Sequence, residues 1–308
     1  MLGGALLSAS RSPRLRRLVV STPSTRRVVD RFVAGERLGD AMTAVRRLAG
    51  AGLTISLDHL GEDVTSPAQA TASRDAYLRA LDTVGTAGLG AAVEVSVKLS
   101  AFGQSLPGGH DLALANVEAV AAAATDAGTT VTMDMEDSST VDSTLAVLAS
   151  LRARFPGTGA VLQSYLHRTP DDARALCGPG SRVRLVKGAY REPASVALQD
   201  KRDVDRAYEE CLRILMAGSG YPMVGSHDPR MIASAQRAAT AAARPADSYE
   251  FQMLYGMRTA EQERLVAQGY QVRTYVPYGT DWYGYFMRRL AERPANLLFF
   301  ARALTTRG

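Results

Sequence analysis

The sequence predicts a closed (β/α)8 barrel. Three observations carry that prediction. Eight short β-branched runs alternate with Ala-rich helical stretches, the runs segregate polar from apolar residues by parity, and no Gly-rich dinucleotide fingerprint is doubled. The runs lie near 53–58, 92–98, 130–135, 160–165, 182–187, 222–226, 249–253 and 271–276. Helical patterns fill most of the gaps, for example 111–127 and 228–243. Upstream, residues 1–50 are Arg-rich and helical in pattern, and Gly50 and Gly52 supply a stop signal. The expected organisation is therefore an N-terminal helical extension, 1–50, followed by one barrel, 51–308.

Parity gives the strands a direction. Val93, Val95 and Val97 share one face, and Glu94, Ser96 and Lys98 the other. Leu53, Ile55 and Leu57 oppose Thr54, Ser56 and Asp58, and Val131, Met133 and Met135 oppose Thr132, Asp134 and Glu136. Val183 and Leu185 oppose Arg182 and Arg184, and Val272 and Val276 oppose Arg273 and Tyr275. A barrel strand packs its outer face on helices, so the apolar set faces outward and the polar set points inward. Buried ionisable groups cost several kcal/mol each unless they are paired or meet a ligand. An antiparallel sheet with one wet face is the alternative, and the Ala-rich helix between successive strands argues against it.

Bulk composition narrows the function classes. The chain has 308 residues, 46% hydrophobic and 22% charged, with a net charge of +5. Its cations are scattered arginines, with lysine only at Lys98, Lys187 and Lys201. No nucleic-acid motif accompanies the charge, so a nucleic-acid partner is not expected. Cys177 and Cys211 lack metal-ligand spacing and suggest reduced thiols. The N-terminal apolar run is too short for a signal-peptide core, and no stretch approaches the ~18 apolar residues of a membrane span. The expected location is the cytoplasm, with a basic surface suited to peripheral contact with the inner face of the cell membrane.

Lys98, Asp134, Gln163 and Arg184 each fall near the end of a different strand, where barrel enzymes place their sites. Cationic and amide donors suit a flavin, because hydride arriving at its N5 leaves negative charge on the ring. RLVKGAY (184–190) runs from a strand into Lys187, Gly188 and Ala189, a small-residue turn with a cation that lets backbone approach a phosphate. Ser226 and His227 form a second strand-end turn that could hold cofactor, although a lone histidine there is more often structural. Near the C-terminus, Tyr285, Arg288, Arg289 and Glu292 fall at i, i+3, i+4 and i+7, one helical face, beside an anchoring stripe of Trp282, Phe286 and Leu290. An inward Arg pair next to a tyrosine is suited to clamp a carboxylate. Paired arginines also occur at 16–17, 26–27 and 46–47, so the four-residue face carries the signal, and the pair alone does not.

With these residues in view, the chain resembles proline dehydrogenase in its monofunctional bacterial form, over about 53–300. The ordered motifs are LDHLGE (57–62), VSVKLS (95–100), MDMED (133–137), VLQSYL (161–166), RLVKGAY (184–190), GSH (225–227), YEFQMLYGM (249–257), RTYVPYG (273–279) and YFMRRLAE (285–292). His59 and Arg191 stand where the family pattern can carry aromatics. The resemblance implies a distorted barrel, FAD at the strand C-termini and a last helix over the mouth. It implies that Arg288 and Arg289 grip the proline carboxylate and that Leu254, Tyr275 and Tyr285 enclose the ring. Lys98 and Asp134 would line the site beside carboxylate and flavin, and Gln163 and Arg184 would hydrogen-bond the isoalloxazine edge. Lys187, Gly188, Ala189, Tyr190, Ser226 and His227 would follow the cofactor. Glu62 would gate Arg288, and Glu292 would brace the Arg pair on the cofactor side.

The implied reaction is hydride transfer from C5 of L-proline to flavin N5, giving Δ1-pyrroline-5-carboxylate. Electrons would go to a membrane quinone, with transient contact to pyrroline-5-carboxylate dehydrogenase. No metal is expected, because the four histidines His59, His110, His167 and His227 form no HxH pair. The rivals are a dehydrogenase for hydroxyproline or another proline analogue, a barrel hydrolase, and a non-catalytic basic binding protein.

Overall fold

The computed structural model describes residues 28–291, with the side chains of 290 and 291 outside the description. Helix α1 (Leu38–Gly50) leads into β1 (Thr54–His59), and α2 (Pro67–Thr86) into β2 (Val93–Val97). There follow α3 (Gly109–Asp126), β3 (Val131–Met133), α4 (Val141–Arg154), β4 (Gly159–Gln163), α5 (Thr169–Leu176) and β5 (Arg182–Val186). The chain continues through α6 (Lys201–Ala217), β6 (Tyr221–Gly225), α7 (Pro229–Ala241), β7 (Glu250–Leu254), α8 (Thr259–Ala267), β8 (Gln271–Tyr278) and α9 (Trp282–Ala291). All eight strands pair in parallel and in sequence order, and β8 closes on β1. The expected (β/α)8 barrel is the observed one.

Helix starts follow local chemistry. Ser66, Asp200 and Asp228 cap α2, α6 and α7 by accepting from backbone N–H groups two or three residues on, and Pro67 and Pro229 occupy first-turn positions that need no N–H. Outward strand residues such as Ile55, Leu57, Val183, Leu185, Phe251 and Val272 join Val45, Leu212, Ile232 and Leu265 of the helices in one apolar layer. A second layer joins Val95, Val97, Val131 and Met133 to Val117, Leu148 and Leu151. Helix α1, inside the first 50 residues, contributes Ala41, Met42, Val45 and Leu48 to the first layer. Among the described residues no helix is long and apolar enough to cross a membrane.

The strand limits shift from expectation by one or two residues, and two of the shifts have a visible cause. β3 ends at Met133 instead of 135: the Asp134 N–H still bonds the Val97 carbonyl, but the chain then turns and carries Glu136 to Ser100. β8 runs on to Tyr278 through Pro277, whose partner is Asp58 on β1 and whose carbonyl accepts from the Ala34 N–H. A proline is tolerated there because it removes only a donor.

Inside the barrel the polar parity is buried, as the alternation requires. The Glu94 carboxylate is met by Arg182 Nη2 at 2.7 Å, Arg184 Nη2 at 3.3 Å and Arg273 Nε at 3.8 Å, and it accepts from Ser56 Oγ. Glu250 takes Arg273 Nε at 2.8 Å. Burial by itself would raise the Glu94 pKa, but Arg273, Arg182 and Arg184 outweigh it and hold the carboxyl far below its ordinary range. Glu94→Gln leaves three guanidinium groups short of a counter-charge and should cost about 3–5 kcal/mol in urea unfolding. Because folded Glu94 titrates below its unfolded value of 4.5, its contribution is full above that pH and is lost as pH falls beneath it. The acid-side loss should accordingly be shallower in the variant, and superimposable acid limbs would contradict this account.

Candidate active site

A cavity of about 700 Å3 opens at the C-terminal ends of the strands. Lys98, Asp134, Gln163, Arg184, Lys187, Gly188, Ala189, Tyr190, Ser226, His227, Leu254, Tyr275, Tyr285, Arg288 and Arg289 all line it. Residues from seven strands or strand ends and from α9 thus meet in one space. Of the remaining residues singled out in the sequence, Glu62 sits at the rim against Arg288, and Glu292 lies outside the described residues.

The floor is built of charges that hold one another. Arg184 directs Nε to Gln252 Oε1, Nη1 to Ser96 Oγ (3.0 Å) and Asp134 Oδ1 (2.7 Å), and Nη2 to Ser56 Oγ (3.2 Å) and Glu94 Oε1 (3.3 Å). That accounts for all five of its N–H donors. Its guanidinium carbon also stands 5.4 Å from the Tyr275 ring centroid. Tyr275 donates its hydroxyl to Asp134 Oδ2 at 2.8 Å. Burial first, then the nearby Asp134 and Asp58 carboxylates, push the Tyr275 phenol well above its usual value, so it remains a neutral donor.

Lys98 leaves β2 on the inward parity, and its Nζ lies 3.1 Å from both oxygens of Asp58 and 3.6 Å from Asp134. Burial alone would lower its pKa; Asp58 and then Asp134 reverse that and raise it well above the free value. Lys98 is a cation throughout the physiological range. Gln163 donates to the Glu136 carbonyl at 2.7 Å, which presents its amide at the wall.

Beyond β5 the chain turns at Gly188, where φ is +115° and a Cβ would overlap the Tyr165 ring. Only glycine allows that turn. Lys187 is drawn between Asp205 and Asp228, the second at 3.0 Å. Ser226 Oγ accepts from the Asp228 N–H, and His227 Nε2 accepts from the Leu254 N–H at 2.9 Å, so His227 has a structural bond as well as a place on the wall. Apolar Met135, Val161 and Val186 share the cavity with Lys187, Lys201, Gln163 and Arg184. Apolar walls with an amide and cationic side chains fit a heteroaromatic ring bearing an anionic tail.

Helix α9 forms the roof. Phe286 packs on Phe32 (6.3 Å between centroids) and on Trp282 (6.0 Å), and Trp282 Nε1 donates to Glu36 at 3.2 Å. With that apolar side held, Tyr285, Arg288 and Arg289 face the cavity. Arg288 makes a two-pronged pair with Glu62, at 2.8 and 3.0 Å. Burial would raise the Glu62 pKa, but the Arg288 hydrogen bond and charge leave it lowered. Arg289 places its guanidinium 5.2 Å from the Tyr285 ring centroid.

The sequence reading passed over Asp58, Gln252, Asp205 and Glu136 as site residues. Asp58, Gln252 and Glu136 were detectable as polar residues on the inward parity, but nothing local distinguishes a wall residue from one that braces it.

The comparisons with known proteins point one way. The family profile described as proline dehydrogenase matches residues 41–302. The chain is 39% identical to a proline dehydrogenase of Deinococcus radiodurans over 97% of this chain and 96% of that one. It is 38% identical to proline dehydrogenase 1 of Bacillus subtilis over 91% of each. Among solved structures, proline utilization A from Bdellovibrio bacteriovorus, inactivated by N-propargylglycine, superposes with a TM-score of 0.78 at 25% identity, covering 85% of this chain and 32% of that one. The chain thus spans about a third of that longer protein. With a profile spanning the barrel, and bacterial relatives matched over nearly their whole length, the chain belongs to the proline dehydrogenase family.

Proposed function

We propose that the protein oxidises L-proline to Δ1-pyrroline-5-carboxylate with FAD, and that a membrane quinone takes the electrons. One observation carries this reading: Lys98, Arg288 and Arg289 share a single cavity with Arg184, Asp134 and Gln163. The first three are suited to an amino-acid carboxylate, and the second three to the polar edge of a flavin ring. When bound, FAD supplies the hydride acceptor at N5.

The chain's own residues do the rest. Arg288 and Arg289 clamp the carboxylate with forked hydrogen bonds, and Lys98 adds a third cation. Tyr275, Tyr285 and Leu254 enclose the ring and exclude water. The pocket's low dielectric favours the neutral amine, so no strong base is required. The nitrogen lone pair closes the C=N bond as hydride leaves C5, and loss of the N–H proton gives the neutral imine. Arg184 keeps its five donors on protein acceptors, so it supports negative charge by its field and its fixed position. Glu62 holds Arg288 across the mouth and acts as the gate. Lys187, Gly188, Ala189, Tyr190, Ser226 and His227 follow the cofactor's tail. Peripheral membrane contact would deliver electrons to the quinone, and pyrroline-5-carboxylate dehydrogenase would take the product in a transient encounter.

Purified protein should be yellow, and anaerobic L-proline should bleach it; a colourless protein, or a flavin that proline leaves oxidised, would overturn the proposal. trans-4-Hydroxy-L-proline should bleach it more slowly, and the reverse order would make the analogue the substrate. Arg289→Ala should raise KM for proline by roughly 30-fold or more, the scale of losing one partner of a buried charged pair, with flavin content retained. An unchanged KM would remove Arg289 from the carboxylate clamp.

A further inference from the structure

We propose that Asp58, backed by Tyr77, is the positioning residue that holds the Lys98 ammonium at the carboxylate end of the cavity. The proposal rests on the reading of that cavity as a site for a ring carboxylate.

Asp58 is completely buried near the end of β1, on the inward parity with Ser56, and does not itself line the cavity. It therefore acts on a ligand only through a neighbour. Both of its oxygens lie 3.1 Å from Lys98 Nζ, a symmetric grip from behind. Tyr77 on α2 contacts Asp58 Oδ1 at 3.1 Å, its hydroxyl hydrogen shared with the Ser96 carbonyl at 2.7 Å. That hydroxyl also accepts from the His59 N–H at 3.2 Å. The Tyr77 ring, fully buried, packs on Phe102 and edge-on to His59. The carboxylate is thus fixed by strand and helix together.

Lys98 faces two carboxylates, and they are not equivalent. Asp134 is already engaged by Arg184, Ser96 and Tyr275. Asp58 forms its ion pair with Lys98. The other titratable groups around Lys98 are the Tyr275 hydroxyl of β8 at 3.3 Å, Tyr77 of α2, Glu62 of the β1–α2 loop, itself paired with Arg288, His59 at the end of β1, Glu136 beyond β3 and Tyr190 beyond β5. Without the Asp58 charge, Lys98 has less to offset its burial and is free to close the 3.6 Å gap to Asp134. It would then withdraw from the ligand and compete with Arg184. A purely neutralising Asp58 would have the opposite effect, because its removal would leave Lys98 a stronger attractor for a carboxylate.

The test uses full-length, flavin-loaded protein and cyclopentanecarboxylate, a ring carboxylate with no amine to titrate, with Kd measured from pH 7 to 10. Asp58→Asn keeps shape and the Tyr77 contact but removes the charge. It should weaken binding about tenfold at neutral pH, the scale of a lost charge-assisted bond, and its affinity should fall toward pH 10, where wild type, with Lys98 still charged, stays level. Tyr77→Phe should move both quantities the same way by less, and carries the test alone if Asp58→Asn does not fold. Variants that bind as tightly as wild type with the same level profile, or more tightly, overturn the proposal. Wild type that fails to bind the probe at any pH instead removes the ring-carboxylate reading beneath it.

Discussion

The structure depends on one buried carboxylate. Glu94 stands inside the barrel among Arg182, Arg184 and Arg273, and from it a chain of ionic contacts climbs to the mouth. Arg184 passes from Glu94 to Asp134, Asp134 is touched by Tyr275 and Lys98, and Lys98 ends on Asp58. Taking so many charges out of water is tolerable only because nearly every donor meets an acceptor. Any member displaced leaves its neighbours short of a partner, which favours one arrangement of the cavity floor.

The roof is built differently. Helix α9 is attached by aromatic packing to residues 28–33, and its Arg288 reaches Glu62 by one forked ion pair at the rim. Both partners of that pair keep about a quarter of their side chains exposed, whereas Arg184 and Glu94 keep almost none. Salt and water weaken the rim pair far more than the floor pairs. A rigid floor beneath a roof held by aromatic packing and a partly exposed ion pair is a workable arrangement for a site that must exclude water and still admit a small substrate.

Much of this was legible in one dimension. Alternation in β1, β2, β3, β5 and β8 gave the inward set, and eight strands separated by helices gave the barrel. The i, i+3, i+4 spacing of Tyr285, Arg288 and Arg289 put them on one face. Asp58 and Asp134 show the limit. Both are aspartates on the inward parity, yet one serves Lys98 and the other Arg184 and Tyr275. Likewise Lys187, expected beside a cofactor, also lies in a cluster with Asp205 and Asp228.

The amino-acid order alone determined strand and helix periods, which faces are apolar, and which polar residues must be turned inward, because these follow from local geometry and from the cost of exposing hydrocarbon. Only the tertiary structure decided who pairs with whom. Glu94 and Arg273 stand far apart along the chain and meet through barrel closure, which sets how much each strand is offset from the next. Those offsets come from packing the whole helix layer around the sheet, a property that no single segment carries.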